Sequence, residues 1–92
     1  MATPAELVRT AREQLSELTG LELASTLGVT RKEEGWQISL ELVEKHSIPE
    51  QMDILARYEA TLDDDGNLLD FKRRGLRKRV DTEWITEEEL AE

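Results

Sequence analysis

The chain has 92 residues, a length typical of one domain, and 36% of them are charged, with a formal net charge of −9. It contains no cysteine, which excludes disulfides, thiolate metal sites and thiol nucleophiles. No apolar run approaches the roughly 20 residues of a membrane span, and no secretory signal is visible. These features predict a cytoplasmic protein that makes no membrane contact.

The charge is unevenly distributed along the chain. Residues 1–70 and 81–92 carry net charges of −9 and −6, whereas residues 71–80 carry +6. We call this cationic segment the basic island; its cations are Lys72, Arg73, Arg74, Arg77, Lys78 and Arg79. Because acidic segments flank the island, general attraction to a polyanion is disfavoured, and any such contact has to be local.

An N-terminal helix is predicted from Pro4 to Thr19. Thr3 and Glu6 have the spacing of a capping box, and Pro4 suits the first helical position, where its missing N–H costs nothing. Gly20 is placed to end the helix in a left-handed conformation. Apolar side chains recur at a spacing of three to four and form one stripe: Leu7, Val8, Ala11, Leu15 and Leu18.

After the helix the apolar period changes to two, which predicts antiparallel strands. The first strand is expected over residues 21–29, and the second, with one wet face, over residues 36–42. A turn at Pro49 precedes a third strand over residues 54–62. An aspartate-rich turn with Gly66 then leads to a fourth strand over residues 68–74, whose weaker alternation fits an edge position.

The predicted fold class is α+β, with the N-terminal helix packed on a four-stranded antiparallel meander and a short C-terminal helical tail. A second capping-box pattern at Thr86 and Glu89 predicts the tail helix. The expected division is a single domain over residues 1–80 and an acidic tail over residues 81–92. The helix stripe is expected to cover the sheet face that carries Trp36, Ile38, Leu40, Tyr58 and Leu62.

Patterns for catalysis or metal binding find little support. His46 is the single histidine, and no cysteine or second histidine exists to form a catalytic pair with it. The triplet Asp63-Asp64-Asp65 fails as a calcium loop, because none of its registers places glycine at position 6. The remaining acidic clusters lie in polar stretches. We therefore expect no catalytic residue, no metal and no cofactor.

The basic island has three open interpretations: docking of a protein partner through its carboxylates, charge that is solvated or paired within the chain, and nucleic-acid binding. Within a strand, Lys72 and Arg74 project to one side, and Phe71 and Arg73 to the other. Nucleic acid is the least favoured, because only Phe71 offers a nearby stacking aromatic. The candidate partner-binding residues are Phe71, Lys72, Arg73, Arg74, Arg77, Lys78 and Arg79.

An ordered series of short motifs covers 45 residues, about half of the chain. The motifs are Gly35-Trp36, Val43-Glu44, Ile48-Pro49, the strand Asp53–Ala60, the hairpin Leu62–Leu68 and the basic segment Phe71–Arg79. No single motif is specific, but the series as a whole resembles the conserved domain of the gas vesicle protein O family.

This resemblance implies a small cytoplasmic accessory protein needed for gas vesicle formation, associated with vesicles or their assembly intermediates, and not an enzyme. The implied partners are other gas vesicle proteins, including the shell protein and an AAA+ ATPase accessory protein. Our leading hypothesis is docking through the basic fourth strand. The alternative is a nucleic-acid-binding regulator of vesicle gene expression that uses the same arginines. The contacted protein and the oligomeric state are left open.

Overall fold

The computed structural model describes residues 3–33, 35–81, 83–86 and 89, which form one α-helix and one antiparallel sheet of five strands. The elements in chain order are α1 (Pro4–Thr19), β1 (Glu22–Lys32), β2 (Gly35–Lys45), a 3₁₀ turn (Glu50–Met52), β3 (Ile54–Leu62), β4 (Leu68–Lys78) and β5 (Ile85–Thr86). The spatial order of the strands follows the chain, as expected where short connections join antiparallel neighbours.

The predicted count of four strands and the predicted helical tail are wrong. β5 pairs with Gly75 and Leu76 of β4, and no helical element follows β4 in the described part of the chain. Thr86 does accept a hydrogen bond from the N–H of Glu89 at 3.3 Å, while residues 87, 88 and 90–92 of the predicted helix lie outside the described residues. Ile85 and Thr86 pair with β4 as a strand, and a helix as short as the predicted tail is marginal in water.

The N-terminal helix agrees with its prediction at both ends. The Thr3 hydroxyl accepts a hydrogen bond from the N–H of Glu6 at 3.2 Å. Gly20 adopts a left-handed conformation with φ of 73°, and its N–H donates to the carbonyl of Ser16 at 2.9 Å. Among the helices that the structure describes, none has the length and apolar character needed to cross a bilayer.

The hydrophobic core lies between α1 and one face of the sheet. Its buried side chains are Leu7, Ala11, Leu15, Ile38, Leu40, Leu42, Ala56, Tyr58, Ala60 and Leu62. The predicted sheet face is thus confirmed, with Trp36 half-buried at its margin. Each fully buried leucine or isoleucine stabilises this packing by about 1.5–3 kcal/mol relative to an exposed position.

Bulges change two of the predicted strands. β1 shifts register between Thr26 and Gly28, and Leu27 is 45% exposed instead of facing the core. β4 shifts register at Arg74 but continues past Gly75 to Lys78, four residues beyond its predicted end. A bulge inserts one extra residue without ending the ladder, so strict alternation in the sequence is not preserved.

We predict that Leu15→Ala lowers the free energy of unfolding by about 3 kcal/mol, because it leaves a cavity under the sheet. The matched control is Leu18→Ala on the same helix, where the side chain is 61% exposed and the expected loss is at most about 0.5 kcal/mol. Urea denaturation measures both variants. Equal losses would contradict the described orientation of the helix.

Candidate protein-docking site on the basic strand

The seven predicted partner-binding residues lie on β4 or directly after it, but they do not form one surface. Pairing with β3 divides them between the two faces of the sheet. Phe71 lies opposite Ala60 on the core-facing side, whereas Lys72 lies opposite Glu59 on the other side, which we call the outer face. The sequence prediction of opposite projection for Phe71 and Lys72 is therefore confirmed.

Four arginines of the basic island pair with carboxylates elsewhere in the fold. The pairs, with nitrogen–oxygen distances, are Arg73–Glu44 (2.8 Å), Arg74–Glu59 (2.8 Å), Arg77–Glu41 (2.8 Å) and Arg79–Asp53 (3.2 Å). The carboxylates come from β2, from β3 and from the residue before β3. Much of the cationic charge is thus compensated within the sheet.

Glu41 has a buried carboxylate on the outer face, with 5% of its side chain exposed. Its Oε2 accepts a hydrogen bond from Nε of Arg77 at 2.9 Å, and its Oε1 accepts one from the hydroxyl of Ser25 at 2.7 Å. An unpaired carboxylate in this place is costly, and these bonds offset the cost of removing it from water. Arg77 therefore has a structural role, because its side chain crosses β3 and links β4 to β2.

Asp53, directly before β3, holds a second buried carboxylate. Its Oδ1 accepts a hydrogen bond from the N–H of Ser47 at 2.7 Å, and its Oδ2 accepts one from Arg79 at 3.2 Å. The Ser47 N–H above all, and then Arg79, hold the pKa of Asp53 below its ordinary value against the opposing effect of burial. These bonds fasten the loop before β3 to the end of β4.

The chain after β4 folds back onto Arg77. Nη1 of Arg77 donates to the backbone carbonyl of Asp81 at 2.6 Å, and the guanidinium lies 5.1 Å from the ring centroid of Trp84. At Gly75, a Cβ would lie 2.7 Å from the carbonyl oxygen of Ile85. Glycine within the basic island therefore has a packing reason, since β5 can approach β4 this closely only where no side chain intervenes.

Lys72 and Lys78 are left to solvent. Both are exposed, and neither forms an ion pair with the carboxylates that the structure describes. Arg74 remains 51% exposed although it pairs with Glu59. Phe71, in contrast, is half-buried against the core, with its ring 6.3 Å from that of Tyr58. We call Lys72, Arg74 and Lys78 the exposed cations of β4.

The aspartate-rich turn between β3 and β4 satisfies its own backbone. Oδ1 of Asp63 accepts hydrogen bonds from the N–H groups of Asp65 and Asn67 at 3.0 and 2.8 Å. These bonds, that of Asn67 foremost, lower the pKa of Asp63. Across residues 3–33, 35–81, 83–86 and 89, no three histidine or acidic side chains are grouped to hold a metal ion. His46 is exposed, 2.9 Å from Glu22.

The sequence prediction missed Glu41 and Asp53 as partners of the basic island. Alternation along β2 assigned Glu41 to a wet face, but Arg77, 36 positions later in the chain, covers it. Asp53 is likewise paired with an arginine 26 positions later. The usable signal was the composition of the island, four arginines to two lysines, because arginine favours partly buried ion pairs.

Comparison with known proteins identifies one family over most of the chain. Residues 1–86 match the family model for "Gas vesicle synthesis protein GvpO". Gas vesicle protein O of a Streptomyces species is 39% identical over 71 residues, which cover 77% of this chain and 56% of the relative. Gas vesicle protein O1 of Halobacterium salinarum is 36% identical over 70 residues, covering 71% and 59%.

A third relative, gas vesicle protein O of Haloferax mediterranei, is 38% identical over 71 residues, covering 71% of this chain and 51% of the relative. The chain thus spans a little over half the length of the curated relatives it matches. No solved structure matches it.

We predict that Arg77→Ala lowers the free energy of unfolding by about 3 kcal/mol, because it leaves the buried Glu41 carboxylate without its cation. The control is Lys72→Ala, which removes an exposed cation of the same strand and is expected to cost at most about 0.5 kcal/mol. Urea denaturation at neutral pH compares the two variants. A loss for Arg77→Ala as small as that of the control would contradict a structural role of this pair.

Acid should weaken the fold through Asp53. Its folded-state pKa lies below the unfolded value, so its contribution to the free energy of unfolding is complete above about pH 5. The contribution declines as pH falls through the lower, folded-state pKa. In Asp53→Asn the loss of stability from about pH 5 downward is expected to be shallower than in the wild type. Urea denaturation of both proteins across this pH range measures the free energy of unfolding. The same pH dependence in Asp53→Asn and the wild type would contradict the prediction.

Proposed function

The chain belongs to the family of gas vesicle synthesis protein GvpO, and from this premise we propose that it serves gas vesicle formation as a non-enzymatic accessory protein. The buried carboxylates of Glu41 and Asp53 support a binding role over a catalytic one. Each is held by an arginine and a further hydrogen bond within the fold, whereas a catalytic carboxylate needs a reacting group within reach.

The observation that carries the docking proposal is the set of exposed cations on β4. They lie along one strand of a molecule whose net charge is −9, with Lys72 on the outer face and Lys78, opposite Ile54, on the core-facing side. Local positive charge on an acidic molecule gives specificity and speeds association when the partner presents carboxylates. The ion pairs of Arg77 and Arg79 with buried carboxylates hold the strand in place.

The proposed partner is another gas vesicle protein with an acidic surface. The sequence resemblance suggests the shell protein and an AAA+ ATPase accessory protein as candidates. In either protein, surface carboxylates would form the contact, because the guanidinium and ammonium groups of β4 pair best with carboxylates. Localisation at vesicles or at their assembly intermediates follows from this proposal.

The alternative of a nucleic-acid-binding regulator has weaker support. Phe71 packs toward the core, where its ring is unavailable for stacking on a base. Arg77 and Arg79 are committed to buried or nearly buried carboxylates. We therefore expect no shifted band in a mobility-shift titration with single- or double-stranded DNA at low salt. A shifted band that weakens with added salt would favour the alternative.

We predict that the double variant Lys72→Glu/Lys78→Glu lowers gas vesicle yield while the domain stays folded. Reversal turns the local attraction to carboxylates into repulsion, and exposed substitutions of this kind change the free energy of unfolding by at most about 0.5 kcal/mol each. The variant replaces the wild-type gene in a vesicle-producing host, and electron microscopy counts the vesicles.

The matched control is Arg9→Glu/Arg12→Glu, which reverses two exposed cations on α1 and gives the same net charge. Its vesicle yield is expected to equal that of the wild type. Normal yield from the β4 variant would contradict docking through the exposed cations. An equal loss from both variants would assign the effect to net charge instead of to this strand.

A further inference from the structure

The free edge of β4 is only partly covered. β5 pairs with Gly75 and Leu76, and no strand among the described residues pairs with the remainder of that edge, residues 68–74 and 77–78. An open edge presents unpaired N–H and C=O groups that can template another strand. Here Lys72 and a bulge at Arg74 discourage an uncharged strand, but the same cations attract an acidic one.

The chain already places one extended segment at this edge, and that segment belongs to an acidic tail. Residues 81–92 carry six acids and no cation. Ile85 lies opposite Leu76, and Thr86 lies opposite Gly75. The edge therefore accepts an antiparallel strand at the one position where glycine lets a second backbone come close. The contact is short, since only two residues pair.

A row of residues across the sheet indicates which side chain an added strand needs opposite Gly75. Thr86, Gly75, Arg57 and Glu41 lie side by side on successive strands. Nε of Arg57 is buried and has no hydrogen-bond partner among the described residues. Because Gly75 has no side chain, a long side chain opposite it can extend toward Arg57. Threonine is too short for this, whereas glutamate supplies an acceptor of opposite charge.

The groove beside β5 has a mixed lining. It is open, has a volume of about 700 Å³, and its apolar lining residues Ile54, Leu76, Trp84 and Ile85 stand among five charged ones, Arg77, Lys78, Asp81, Glu83 and Glu89. Ile85 is 47% exposed, so the tail fills this groove incompletely. A strand that alternates acidic and apolar residues would place its carboxylates near Arg57 and Lys72 and its apolar side chains toward Leu76 and Ile54.

We propose that the free edge of β4 binds an extended acidic segment of a partner protein by strand addition, in place of β5, with a carboxylate opposite Gly75 facing Arg57. The inference rests on the proposed function for the nature of the partner. It adds the mode of contact, which is backbone pairing along β4, and it makes the chain's own tail a competitor for the site.

The test uses the full chain and a fluorescent ten-residue peptide with the sequence of residues 83–92, carrying glutamate in place of threonine at the position of Thr86. The control probe has the same side chains and charge but is N-methylated at alternate residues, which removes the donors that face β4. Fluorescence anisotropy at low ionic strength measures both affinities. Amide hydrogen exchange reports the backbone of residues 70–76.

Strand addition predicts that the unmethylated probe binds at least about tenfold more tightly than the methylated one, since two or more backbone hydrogen bonds are lost. It also predicts slower amide exchange on β4 when the probe is bound. Equal affinities would overturn strand addition while leaving charge-based docking intact. No binding of either probe would overturn the inference, and the vesicle-yield experiment would still test the proposed function separately.

Competition by the tail is tested with Trp84→Ala, which removes the ring that rests on Arg77 and leaves the edge of β4 unchanged. Loss of this contact should raise the affinity of the unmethylated probe by about fivefold. The control is Ile48→Ala, a change in a fully exposed side chain, for which no change is expected. Unchanged affinity in Trp84→Ala would overturn the competitive role of β5.

Discussion

The ion pair between Arg77 and the buried carboxylate of Glu41 is the interaction on which the outer face of the sheet depends. It spans β3, so it couples two strands that are not neighbours, and its cation also binds the chain after β4 through Asp81 and Trp84. Removing either partner would leave a charge in a place with little water. The pair therefore adds a side-chain link between β2 and β4 to the backbone ladder that joins β4 to β3.

The cations of the basic island therefore differ in placement according to residue type. Arg77 and Arg79 hold carboxylates that are almost completely buried, while Lys72 and Lys78 extend into solvent. A planar guanidinium can serve several acceptors at fixed geometry, whereas an ammonium keeps its hydration. Reversing the charge of all cations together would break these ion pairs and alter the proposed docking residues at once, so the lysines are the informative positions.

Local patterns predicted the helix well and the end of the chain poorly. The cap at Thr3, the stripe through Leu15 and the stop at Gly20 act within a few residues, so they can be recognised in the sequence. The tail helix was predicted on equally local grounds, but Ile85 pairs with β4 instead. The bulge in β1 also escaped prediction, because it depends on which residues of the neighbouring strand lie opposite.

The sequence by itself determined the α+β class, the chain-order meander, the core face and the concentration of cations in one strand, because apolar periodicity and turn chemistry act over short distances. Only the tertiary structure decided which of those cations remain exposed to solvent and which pair with buried carboxylates. Glu41 and Asp53 meet their arginines across 36 and 26 positions of chain. Burial of a carboxylate results from the side chains that surround it, and no local pattern contains those neighbours.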